Sequence, residues 1–170
     1  MFFFDSDPNS QQNDLLATLD NLIGNWENEV VEFKEANNDY DREKIGKYFS
    51  AISNEANLLG CQYGWLVLGV SESGARKPVG TAFKSGDSTL LEKFKYEIAR
   101  NTTDGITFLE IIELFPICDG KPCRVLMFKI PAAVVGMPTN LYLSAEIAQS
   151  IAQKHSTSGT GLLTTSITGI

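Results

Sequence analysis

A chain of 170 residues, 43% of them apolar, is long enough to bury a real core as one domain, and this composition excludes wholesale disorder. No apolar run reaches the length of a membrane span. The Phe2-Phe3-Phe4 cluster is too short for a signal-peptide core and runs into Asp5 and Asp7, so a cytoplasmic protein without a membrane partner is expected. The net charge of −7 is uneven: residues 1–43 carry eleven acids against two bases, Lys34 and Arg42, while residues 44–170 carry ten acids against twelve bases. Such a remainder is compatible with a polyanion on one face, although a pI near 4.7 argues against tight non-specific DNA binding.

Residues 1–13 read as a flexible N-terminal arm. Asp14 is placed to cap a helix whose apolar positions, Leu15, Leu16, Leu19, Leu22 and Ile23, keep helical spacing up to Gly24. The stretch from Val30 to Lys34 reads as a strand with Val30, Glu32 and Lys34 on one face and Val31 and Phe33 on the other. A carboxylate and a lysine two apart on one strand face suit a metal-dependent nuclease. The carboxylate holds Mg²⁺ or Mn²⁺, and the ammonium steadies a phosphate or the attacking water. The plainer alternative is a half-exposed edge strand with solvated charges.

A second amphipathic helix is expected from about Glu43 to Asn57, burying Ile45, Tyr48, Phe49, Ile52 and Ala56. The continuous apolar run Trp65–Val70 predicts a central strand with both neighbours paired, followed by a loop over Ser71–Pro78. Thr89-Leu90-Leu91-Glu92 has the pattern of a capping box opening a helix with Leu91, Phe94 and Ile98 inward and Lys93, Lys95 and Arg100 outward. Two strands follow, Ile106–Leu114 and Arg124–Ile130. Alternation in the first puts Phe108, Glu110 and Ile112 on one face and Thr107, Leu109, Ile111 and Glu113 on the other.

Cys118 and Cys123 flank the turn Asp119-Gly120-Lys121-Pro122 and are expected to face each other across a hairpin as reduced, structural thiols. Zinc would need two more ligands, and only Cys61 and His155, in unrelated segments, are on offer. Ser144–His155 has the spacing of a short helix, and Ser156–Ile170 is rich in Ser, Thr and Gly. Helices and strands mix without strict βαβ alternation, so the expected fold is α+β: a single domain with a mixed sheet and helices packed against it.

Several blocks, in order, resemble the Schlafen-type Alba-like domain family. They are Glu27-x4-Glu32-Phe33-Lys34, then Phe49–Asn57, then Gly64–Val70 with Val79-Gly80 after a loop, and a Lys129-Ile130-Pro131 ending, covering roughly residues 25–140. The resemblance implies a nucleic-acid-binding domain of the kind found in bacterial proteins, many of them labelled DNA-binding transcriptional regulators. The family has also been grouped with AAA ATPases, but no Gly-x4-Gly-Lys-Ser/Thr phosphate loop occurs here.

Some Schlafen proteins are RNA endonucleases with three carboxylates. Carried over, these fall on Glu27, Glu32 and Glu72, with Mg²⁺ or Mn²⁺ as the cofactor. The alternative is that Glu27 only caps the strand and Glu72 is a solvated loop acid. Candidate nucleic-acid contacts are Lys34, Lys44, Lys47, Arg76, Lys77 and Lys84, each otherwise an ordinary surface base. A third reading is a non-enzymatic interaction module whose acidic N-terminal segment contacts a protein. DNA or RNA is the expected partner, and a homodimer is allowed.

After Gly136-Met137-Pro138-Thr139 the family continues with an aromatic pair, an arginine and a Gly-rich turn, whereas this chain runs Asn140-Leu141-Tyr142-Leu143 and lacks the arginine. The domain is therefore expected over residues 14–140, with 141–170 an atypical, weakly ordered tail of the kind a truncated or frame-shifted end would leave.

Overall fold

The computed structural model describes residues 8–25, 30–36, 40–87, 89–102 and 105–134. Glu27, His155 and the expected C-terminal helix and tail lie outside these residues. Three helices, α1 (Pro8–Gly24), α2 (Arg42–Leu58) and α3 (Thr89–Asn101), accompany the strands β1 (Val31–Lys34), β2 (Tyr63–Leu68), β3 (Glu110–Leu114), β4 (Ile117–Cys118), β5 (Lys121–Pro122) and β6 (Val125–Pro131). The main sheet has the order β1-β2-β6-β3, with β1 parallel to β2 and the other pairs antiparallel. It is a mixed α+β sheet, and β2 is central with both neighbours paired. Leu66, Val67 and Leu68 are completely buried because each face of this strand meets a helical layer.

Alternation assigns the two faces. Leu66, Leu68, Leu126, Phe128 and Ile130 pack with Ile45, Phe49, Ile52 and Ala56 of α2 and with Phe94 and Ile98 of α3. Phe33, Trp65, Val67, Ile112, Leu114, Val125 and Met127 pack on the other face with Leu19 and Leu22 of α1. Gly64 lets α2 lie close to the sheet: a Cβ there would meet Ile52 Cγ2 at 2.5 Å and Val30 Cγ1 at 2.7 Å. Asp41 caps α2, its carboxylate accepting from Glu43 N at 2.8 Å. No helix among the described residues is long and apolar enough to cross a membrane.

The structure differs from the sequence reading at several places, among them the central strand, which runs Tyr63–Leu68 rather than Trp65–Val70 and ends before Gly69. Helix α1 begins at Pro8 rather than Asp14, so residues 8–13, expected in the arm, are helical; proline at a first helical position loses no hydrogen bond. Helix α3 is capped by Asp87, not Thr89: the Asp87 carboxylate accepts from both the amide and the hydroxyl of Thr89, each at 2.8 Å. The strand expected from Ile106 begins at Glu110. Phe108 therefore escapes the alternation and sits with Phe49, Phe94 and Phe128 under α2 and α3, opposite Ile112. Finally, Cys118 and Cys123 do face each other beside the Asp119-Gly120 turn, with Cα atoms 5.7 Å apart, but they are joined as a disulfide rather than held as thiols.

Candidate nucleic-acid interface

Because β1 and β2 run parallel, with Lys34 opposite Leu68, their carboxyl ends share one edge of the sheet. That is where open α/β sheets collect ligands. Gly69 turns the chain there with φ +92°, donating its N–H to Lys34 O at 2.7 Å, and a Cβ would meet Arg124 O at 2.9 Å. The loop beyond is pinned by buried Ser71. Its hydroxyl donates to Ala75 O at 3.2 Å and accepts from Lys77 N at 3.0 Å.

That loop carries Glu72 back over the end of β1. Lys34 Nζ lies 2.7 Å from Glu72 Oε2 and 2.8 Å from Glu32 Oε1, so the two carboxylates converge on one ammonium. The second Glu72 oxygen accepts from Glu35 N at 3.4 Å. Beneath the ammonium lies the Tyr48 ring, its centroid 5.1 Å from Nζ. Burial pulls the Lys34 pKa down, but hydrogen bonds with Glu32, Glu72 and Tyr48 outweigh it and hold the lysine above its ordinary value. The hydrogen bond from Lys34 holds Glu72 below the usual carboxylate value against a smaller opposing effect of burial, and the Lys44 charge adds to the lowering. Tyr40 is pushed up by burial and by its hydrogen bond with Tyr48.

The predicted site residues divide accordingly. Glu32, Lys34 and Glu72 form one cluster of net charge −1, in which Lys34 is committed to two acids. Lys44, exposed in the first turn of α2, extends over the Tyr40 ring at 5.9 Å. Lys84 stands near the same edge, its ammonium 5.0 Å from the Phe94 centroid. Arg76 lies apart from these, over Phe33 at 5.0 Å, and Phe33 belongs to the α1 face. Lys47 and Lys77 are exposed.

Sequence reasoning missed Tyr40, Tyr48 and Arg42. A tyrosine on the half-buried side of a helix needs a partner for its hydroxyl. Tyr48, expected on the buried side of the second helix, was the signal available, but nothing in the sequence placed that helix over the Lys34 face of the strand.

Carboxylate oxygens are the donors that Mg²⁺ or Mn²⁺ prefers. Glu32 and Glu72 fit such an ion in donor type, but Lys34 occupies the point where they converge. Among the described residues no third His, Cys, Asp or Glu joins them.

No curated protein matches the chain. The profile of the Schlafen, AlbA_2 family matches residues 27–155, a span that takes in β1 through β6 and the whole edge just described. The chain belongs to the Schlafen, AlbA_2 family.

Proposed function

We propose that this chain binds nucleic acid along the edge formed by the carboxyl ends of β1 and β2 and the first turn of α2. Family membership supports a nucleic-acid-related role. The observation that carries the location is the set of basic groups there: Lys44 over the Tyr40 ring at 5.9 Å, Lys84 over Phe94 at 5.0 Å, Arg42 paired with Glu97 at 3.5 Å, and Lys34 between Glu32 and Glu72. Phosphates meet Lys44 and Lys84 first, and Arg42 as it leaves Glu97, because Lys34 is held by two acids. DNA binding in a bacterial transcriptional regulator is the setting that best suits the reading, with the cytoplasm as its place.

A second reading is favoured by one specific feature, the convergence of Glu32 and Glu72. In it, the two acids, together with Glu27, hold Mg²⁺ or Mn²⁺ and the chain cleaves RNA. The ion supplies a Lewis acid for the phosphodiester. Lys34, released from one carboxylate, holds a phosphate oxygen, and Tyr48 keeps the ammonium in place.

Fluorescence anisotropy with labelled single-stranded, duplex and hairpin DNA and RNA, with and without Mn²⁺, separates the readings. Salt-sensitive binding without cleavage supports the first. Mn²⁺-dependent cleavage lost in Glu32→Gln supports the second. Neither binding nor cleavage leaves a protein-interaction module.

A further inference from the structure

Lys84 is held in a way that a solvated surface lysine does not require. Its backbone has φ +44°, a region a lysine enters only at a cost. The turn around it is fixed from three sides. Thr81 Oγ1 donates to Ala36 O beyond β1 and accepts from Phe83 N at 3.1 Å. Arg124 Nη1 donates to Phe83 O at 2.7 Å. Phe83 is buried against Phe94 and Phe128, with centroids 5.5 and 6.5 Å away. The ammonium itself lies over Phe94 at 5.0 Å and Phe83 at 5.6 Å, and among the described residues no carboxylate is within ion-pair distance of it.

Its charged neighbours are Arg42 in the first turn of α2 and Glu97 of α3, which pair with each other at 3.5 Å, and Arg42 remains largely exposed. Glu97 is one turn along from Phe94, so Lys84, over Phe94, and Arg42, paired with Glu97, reach the same stretch of α3. The two cations share the single acid Glu97, which pairs with Arg42 and not with Lys84, so the group keeps a net charge of +1 that an anion would offset.

We propose that Lys84 and Arg42 form a phosphate clamp, Lys84 as the fixed point charge and Arg42 as the adjustable two-pronged donor. The ligand class is a phosphate group, either of a nucleic-acid backbone or free. The nucleic-acid form of the proposal rests on the binding function inferred above. Burial first, then the Arg42 charge, lowers the Lys84 pKa against a smaller opposing effect of Glu97. Arg124, the remaining nearby cation, is engaged by Glu113. Binding needs the protonated ammonium, so affinity falls as pH rises through a window that opens below the ordinary lysine value of 10.5.

The test compares the whole chain with Lys84→Gln, Lys84→Arg and Arg42→Gln in two arms. In the first, anisotropy follows labelled single-stranded and duplex oligonucleotides across a salt series. Lys84→Gln weakens binding alike for every sequence and reduces the log–log salt slope by about one. Lys84→Arg restores the slope, and thermal stability of the Gln variant is unchanged or raised, since an uncompensated charge has been removed. Equal affinity and slope in wild type and Lys84→Gln overturn the clamp while leaving nucleic-acid binding intact. In the second arm, NMR follows the lysine Cε resonances during titration with inorganic phosphate. If the chain binds no oligonucleotide but phosphate shifts Lys84, the clamp stands and the nucleic-acid reading falls. A Lys84 signal indifferent to phosphate in such a protein overturns both.

Discussion

Lys34 shows how one residue organises the edge. It links an acid of its own strand, Glu32, to an acid of the neighbouring loop, Glu72, over the Tyr48 ring. Lys34→Met leaves the two carboxylates facing each other without a counter-ion. In the wild-type protein the Lys34 hydrogen bond holds Glu72 below the usual carboxylate value, and in the variant its pKa rises, which carboxyl ¹³C NMR reads directly. The sign for stability follows. A lowered folded-state pKa means that Glu72 adds stability above its unfolded value, and that this stability is lost as pH falls through the folded one. Wild type is therefore destabilised by acid more steeply than Lys34→Met, as denaturation at a series of pH values between 2 and 6 checks. Lys34 contributes in the opposite sense: its raised pKa gives stability that is complete below 10.5 and is lost as pH rises above the folded value. Tyr48→Phe keeps the ring under the ammonium but removes the hydroxyl bond, at a cost of about 1 kcal/mol in urea denaturation.

At the scale of elements, two short features set the position of α2. Asp41→Ala removes the cap and lowers stability by about 1 kcal/mol. Gly64→Ala drives a methyl into Ile52 and Val30 and costs about 1–3 kcal/mol, read as a shift in the urea midpoint without a change in slope. Both effects bear on the candidate interface, because α2 carries Arg42, Lys44 and Tyr48. Most elements were legible in the sequence, since period and length left little choice: the all-apolar run after Gly64 had to be central, and the spacing of Ile45, Phe49, Ile52 and Ala56 had to be helical. Phe108 was not, because alternation presumes an unbroken strand and the strand starts only at Glu110. The Asp87 cap was hidden for a related reason: Thr89 and Asp87 both suit helix starts, and the choice between them is made by local geometry.

Among the described residues, the acidic N-terminal stretch and the basic remainder are not separated into two faces. Glu32, Asp41 and Glu43 from the acidic stretch stand among Lys44, Glu72 and Lys84 at a single edge. Chain position alone does not say which charges meet, while the pairing of Glu32 with Glu72 was legible once their strands were taken as neighbours. The Tyr48 and Arg42 contributions depend on how α2 docks, which no local pattern encodes. With Arg42, Lys44 and Lys84 as the phosphate contacts, Arg42 exchanging Glu97 for phosphate, the salt dependence of duplex binding should be shallow, with a log–log slope of about −3.

Hydrogen exchange measured by mass spectrometry, with and without a saturating oligonucleotide, tests the location of the interface most directly. Protection is expected in the first turn of α2, in residues 71–77 and in the turn at residues 81–85, with α1 unchanged. Protection confined to α1, or to the β4–β5 hairpin around Asp119 and Gly120, would contradict the account and put the nucleic acid on another surface.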